Sequence, residues 1–218
     1  MNIRSIFIVF FIFGLVTTPL LVRADEAVFD PQFVLSDVEL SNWNSMDASD
    51  IQNFLDGQNG TLRILTALDV DGIQKTAAEI IAAAARRNQI NPRVLLVLLQ
   101  KEQSLVSNPS PSINSIGWAM GYALCDSCDP NDPKIIKYKG FANQVDSAAG
   151  LFRYYIDHSL EKPWVKRAGQ SYTIDNIPVI PSTNATAFLY TYTPHLEGNR
   201  NFWTVWRAWF RGRLYPDG

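Results

Sequence analysis

From Val94 to Leu99 the chain carries six consecutive apolar residues, VLLVLL, inside a segment with clear helix signals. Asn91 is a capping residue and Pro92 suits the first helical position, so PRVLLVLLQKEQSLV predicts a helix running to about Leu105. A helix with apolar side chains around its whole circumference must be covered on every side. The rest of the chain has to wrap it.

The covering segments read as helices too. Asp47 can cap a helix over 48–56 whose apolar face is Ile51, Phe54 and Leu55, with Gly57 ending it. Thr76 and Glu79 form a capping box ahead of an alanine-rich face, Ala78, Ile81, Ala82 and Ala85, that permits close packing. A long helix is expected over 142–158, and two more in TNATAFLYTYT and NRNFWTVWRAWFR. In the last, Trp203, Trp206 and Phe210 recur at helical spacing, as in a helix that closes a core. Residues 25–44 look irregular around the apolar trio Phe33, Val34 and Leu35, and 107–140 reads as a long loop of the kind that often carries function. Tyr172–Ile174 and Pro178–Ile180 can pair as a small β-hairpin. The fold class is mainly α, with a long loop and a small hairpin.

The chain is 47% hydrophobic and 18% charged, with net charge −2 and both signs scattered. A nucleic-acid binder would carry a clustered basic face, so nucleic acid is not an expected partner. Residues 1–24 have a basic start at Arg4, an apolar centre over 6–16 and the ending Val22-Arg23-Ala24. That pattern describes a secretory signal peptide cut before Asp25. The alternative is an uncleaved anchor, and membrane contact is expected only through it. The protein is therefore expected to be exported: extracellular, periplasmic or associated with the cell wall.

Cys125 and Cys128 are the only cysteines, spaced C-x-x-C in a loop between turn signals. In an exported chain they read as a small structural disulfide; the alternative is a thiol oxidoreductase pair. The two isolated histidines and these thiols do not make a zinc site, and the nearby carboxylates lack the glycine and terminal glutamate of a calcium loop. No metal or cofactor is implied.

Glu102 stands out chemically. It follows the apolar run and shares a helical face with Leu95, Leu98 and Leu99. A carboxyl on such a face loses hydration and tends to hold its proton, which is what a glycoside-cleaving enzyme needs to protonate a leaving oxygen. The bland alternatives are pairing with Lys101 or an arginine, or a helix that has already reached solvent.

Four stretches then carry a resemblance: Asn91 to Val106, GWAMGYALC, KGFANQVDSAAGLFRYY, and NATAFLYTYTPH with GNRNFW. Over about Thr76 to Phe210 the chain resembles exported bacterial proteins similar to the lysozyme-like superfamily of lytic transglycosylases and cell-wall glucosaminidases. The resemblance implies a lysozyme-like helical catalytic domain over 76–218, preceded by an extension over 25–75 with one short helix. It implies that Glu102 is the catalytic glutamate and that the segment Gly140–Gln144 lines the glycan cleft. A tyrosine near the glutamate is then Tyr190 or Tyr192. The chain departs from the transglycosylase pattern where Gln103 intervenes between Glu102 and Ser104, and the usual Ala-Tyr-Asn-Ala-Gly segment is not recognisable.

The expected function is cleavage of glycosidic bonds in peptidoglycan by a monomer, with Glu102 as general acid and base. Asn143 and Gln144 are either glycan hydrogen-bonders or polar residues of a first helical turn. Tyr122 either stacks on a sugar or packs, and Tyr192 either approaches Glu102 or fills the core. Hydrolysis would enlist a second carboxylate from Asp126, Asp129 or Asp146. The rival is a non-catalytic wall-binding or assembly protein that keeps the fold. Glu102→Gln is expected to hold or slightly raise stability, because a buried ionisable group becomes neutral.

The cysteines yield a direct test. Thiol titration of the native exported protein should find Cys125 and Cys128 unreactive until a reductant is added. Free thiols in that protein count against the disulfide.

Overall fold

The computed structural model describes residues 28–124, 129 and 131–211. The expected leader, residues 1–24, and Cys125, Asp126 and Cys128 lie outside the described residues. Most helices start on a side chain that accepts an otherwise unpaired backbone N–H. Ser36 with Glu39, Asp47 with Asp50 and Thr76 with Glu79 make reciprocal capping boxes, opening α1 (Asp37–Ser41), α2 (Ala48–Asp56) and α3 (Ala77–Asn88). The Asn91 side chain accepts from Arg93 N–H at the head of α4 (Pro92–Gln103), with Pro92 in the first turn. Short helices α5 (Ile113–Gly117) and α6 (Pro133–Ile136) interrupt the long loop. Then come α7 (Phe141–His158), α8 (Asn184–Tyr192) and α9 (Leu196–Trp206), the last prolonged by a π-helical turn over Arg207–Arg211. Two antiparallel hairpins complete the fold: β1 (Thr66–Leu68) with β2 (Gln74–Thr76), and β3 (Tyr172–Ile174) with β4 (Ile177–Val179). The chain is mainly α with small hairpins, as its sequence predicts.

Helix α4 is the centre. Each of Val94, Leu95, Leu96, Val97, Leu98 and Leu99 is 0% exposed. α3 and α9 pack against it, and α3 in turn meets α2 and α7. The predicted continuation to Leu105 stops at Gln103, because Ser104 turns left-handed at φ 55° and caps the helix with its N–H on Leu99 and Gln100 carbonyls. Leu105 and Val106 fold back into the core. The aromatic run at the chain's end also packs: Phe202 and Trp206 are buried, and Phe54 of α2 lies 5.2 Å from Trp209 and 5.5 Å from Phe210.

Residues ahead of α3 share this core. Val34, Leu35, Leu40, Ile51, Leu55 and Leu62 belong to the same buried cluster as α3, α4 and α7, so the expected boundary between 75 and 76 falls inside continuous packing. Two buried polar side chains fasten this segment. Asn91 donates to Glu39 O (2.7 Å), while its N–H donates to Leu40 O (2.9 Å), tying α1 to α4. The Thr186 hydroxyl accepts from Val34 N–H (3.0 Å) and Leu35 N–H (3.2 Å), tying the extended trio to α8.

The β1–β2 hairpin and α1 escape the helical periodicity. Both are short, yet each has a signal: Ser36-x-x-Glu39 for the helix, and Asp71-Gly72, with Gly72 at φ 80°, for the turn. Behind that turn Asp69 accepts from Lys75 (2.6 Å) and Arg87 (3.2 Å), and Arg87 reaches Asp146 of α7 (2.9 Å). Burial opposes ionisation of Asp69, but the hydrogen bonds from Arg87 and Lys75 outweigh it and hold its carboxyl below the usual range. Hairpin, α3 and α7 are thus joined by one charge network.

Thr186→Val keeps the side-chain shape but leaves two buried N–H groups unpaired. It should destabilise the fold by about 2 kcal/mol in chemical denaturation. An unchanged midpoint would show that the N-terminal trio is not held this way.

Candidate functional site

α4 is buried from Val94 to Leu99, and solvent reaches it at Arg93 in the first turn and from Gln100 to Gln103 in the last. The Glu102 side chain emerges there at 23% exposure, against 8% for Lys101 beside it. Of the alternatives open for Glu102, pairing with Lys101 is the one that forms: Lys101 Nζ sits 2.5 Å from Glu102 Oε1 and also donates to Thr193 Oγ1 (3.0 Å). Thr193 is held in turn, its carbonyl accepting from the buried Asn199 side chain (2.7 Å). The ammonium is therefore fixed in place as a near-buried counter-ion.

The other carboxylate oxygen faces a backbone turn. A Cβ placed on Gly121 would lie 3.7 Å from Glu102 Oε2, and Gly121 is at φ +65°. Glycine suits the left-handed turn, and a Cβ there would make only an ordinary contact with the carboxylate. Tyr192 flanks the same turn. Its hydroxyl donates to Met120 O (2.7 Å) and its ring stacks on Phe152 with centroids 5.2 Å apart. Burial first, and the charge of Glu102 second, push that hydroxyl well above its ordinary range. Of the two candidate tyrosines, Tyr192 is the one by the glutamate. Tyr190 lies in a separate cluster with Ile174 and Val179, its hydroxyl donating to Pro31 O (3.0 Å).

Gln144 has a different place from a glycan contact. It is 0% exposed. Its Oε1 accepts from Met120 N–H (3.2 Å) and Tyr122 N–H (2.9 Å), and its Nε2 donates to Tyr122 O (3.1 Å) and Tyr138 O (2.9 Å). Every hydrogen-bonding position of the amide is used, so Gln144 clamps the turn that faces Glu102 and has nothing left for a ligand. Its neighbour Asn143 is exposed, its amide donating to Lys139 O (3.1 Å). Tyr122 is half-buried with its ring 5.1 Å from that of Tyr138, and burial raises its hydroxyl pKa.

The candidate second carboxylates do not gather here. Asp146 is bound by Arg87 and Asn88, Asp129 is exposed and accepts from Asn131 N–H (2.8 Å), and Asp126 lies outside the described residues. Among the described residues no cluster of three or more histidines, cysteines, aspartates or glutamates is arranged to hold a metal ion, and no helix is long and apolar enough to cross a membrane. Sequence reasoning missed Gly121 and Thr193 as parts of the site. The left-handed glycine has a weak signal in Met120-Gly121-Tyr122, whereas Thr193 has none, since only the packing brings it to Lys101.

The clamp makes a sharp contrast between neighbours. Gln144→Ala strands two N–H groups and two carbonyls, and should lower stability by about 3 kcal/mol. Asn143→Ala, on the surface, should stay within about 0.5 kcal/mol. Equal melting temperatures for the two variants would remove Gln144 from its structural role.

No curated protein and no solved structure matches the chain. The family model described as "LasA, N-terminal domain" matches residues 33–173, more than half of the 218-residue chain. That span runs through the extension, α3, α4, Glu102, the Gly121 turn and Gln144, and stops before Tyr192 and Thr193. The match starts inside the extension, like the continuous core. The chain belongs to the LasA N-terminal domain family.

Proposed function

We propose that this chain is an exported protein that acts on the bacterial cell wall, cleaving glycosidic bonds of peptidoglycan with Glu102 as general acid and then base. The observation that carries it is the carboxyl itself, set where the last turn of α4 leaves the buried run Val94–Leu99 and meets solvent, with one oxygen on Lys101 and the other beside a glycine turn. The leader, family membership and lysozyme-like stretches support the same setting.

In this scheme a protonated Glu102 gives its proton to the bridging oxygen while the C1–O bond breaks. A hydroxyl of the same sugar then attacks C1, and its proton returns to the carboxylate. This internal ring closure needs one carboxyl only, which fits a site with Asp146 engaged elsewhere. Hydrolysis would call on a second carboxylate to activate water. Lys101 keeps the carboxylate placed between cycles, and Tyr192 holds the Met120 carbonyl so that the Gly121 turn stays open.

The non-catalytic alternative has one observation in its favour: the Lys101–Glu102 ion pair ties up the group that should act. In that case wild-type protein sediments with cell walls but releases no new chain ends.

Mass spectrometry of ends released from purified peptidoglycan decides between them, with anhydro-sugar ends expected. Glu102→Gln should cut their release by about 10²–10⁴-fold. Because Lys101 loses its counter-ion, the variant should melt slightly lower, not higher as the sequence alone suggests. Full release by folded Glu102→Gln would overturn the assignment.

A further inference from the structure

Beside the Gly121 turn the chain reads Lys134-Ile-Ile-Lys137-Tyr-Lys139, three cations within six residues of a molecule whose net charge is −2. All three lysines are exposed, and among the described residues none makes an ion pair within 4 Å. The acidic residues just before them are turned to their own backbone: Asp132 accepts from Lys134 N–H (2.8 Å) and Asp129 from Asn131 N–H (2.8 Å). Two of the ammonium groups rest over aromatic rings, Lys137 at 4.9 Å from the Tyr138 centroid and Lys139 at 6.0 Å from that of Trp118. A surface lysine is usually free to wander; these two have a seat.

The basic turn is also fixed to the Glu102 site. Gln144 binds Tyr138 O with the same amide that grips Met120 and Tyr122, Gly140 N–H donates to Gly117 O (2.8 Å), and the Tyr138 ring meets Tyr122 edge-on. One buried side chain thus couples the position of the cations to the turn facing the carboxylate. On the function proposed above, a strand bound at Glu102 lies against the same clamped loop as these cations, and the anions it offers them are those it carries itself.

We infer that Lys134, Lys137 and Lys139 bind the free carboxylates of the short peptides attached to the glycan strand, so that the site selects peptide-bearing over peptide-free glycan. This rests on the glycan-directed function proposed above. Lysine suits the task because its compact ammonium pairs with a carboxylate from any direction, whereas the planar fork of arginine asks for one fixed orientation. The attraction should be screened by salt, as for any exposed charge pair.

The test is sedimentation of full-length exported protein with three insoluble substrates: intact cell wall, wall stripped of its peptides by an amidase, and wall stripped of phosphate polymers by acid. The triple variant Lys134→Gln, Lys137→Gln, Lys139→Gln should stay folded, its melting temperature lowered by a few degrees at most through loss of the two exposed lysine–ring contacts. It should bind the intact and the phosphate-stripped wall about tenfold more weakly than wild type, with no change on peptide-free glycan. Rising salt should weaken the wild type on peptide-bearing wall in the same way. Unchanged binding by the variant, an equal loss on peptide-free glycan, or wild-type binding that vanishes with the phosphate polymers overturns the inference. Release of chain ends by the wild type is scored separately. Ends released with no lysine effect overturn this inference alone, lysine-dependent binding with no ends released overturns the catalytic reading alone, and no binding to any substrate overturns both.

Discussion

A helix that is apolar on all sides imposes its own surroundings. Once Val94–Leu99 is buried, α3 and α9 must lie against it, and segments as distant as Val34–Leu35 and Leu105–Val106 are drawn into the same core. Polar chemistry is excluded from most of α4, because an unpaired charge there would cost far more than its neighbours could return. Beyond the buried run the helix can carry a polar group only at its two ends, with Arg93 at one and Lys101 and Glu102 at the other. Site and core are two ends of one element.

The interior polar groups divide into two kinds of work. Thr186 and Asn91 fasten the N-terminal segment to α8 and α4, which is why residues ahead of α3 pack as part of one body. Gln144 fastens loops instead, gripping Met120, Tyr122 and Tyr138 around the mouth of the site. A loop of this length would otherwise leave several backbone groups without partners as it approached the core. One amide satisfies four of them and fixes the distance between the glutamate, the aromatic pair and the basic turn. Rigidity at the site thus comes from an inward-facing residue that touches no ligand, while the groups available for recognition sit on the loop it holds.

Helix starts were legible because capping is local. Asp47, Thr76 and Asn91-Pro92 each act on backbone groups within three residues, so their effect needs no knowledge of the rest of the chain. The burial of α4 was legible for a similar reason, since six apolar residues in a row leave no polar face to expose. The hairpin over Tyr172–Val179 was legible in its two short stretches, Tyr172–Ile174 and Pro178–Ile180, though the second strand forms one residue earlier, and the prominence of Glu102 in its position beyond the apolar run. What the residues alone determined, then, was a helical protein built around one buried helix with a carboxyl at its end. Tertiary structure decided everything that depends on contacts between distant residues. It brought Thr193 to Lys101, chose Tyr192 over Tyr190 as the glutamate's neighbour, and took Asp146 to Arg87. It also turned Gln144 inward from what sequence leaves as a polar first turn. A side chain's identity states which bonds it is able to make; only the arrangement of the other helices around it settles which ones it does make.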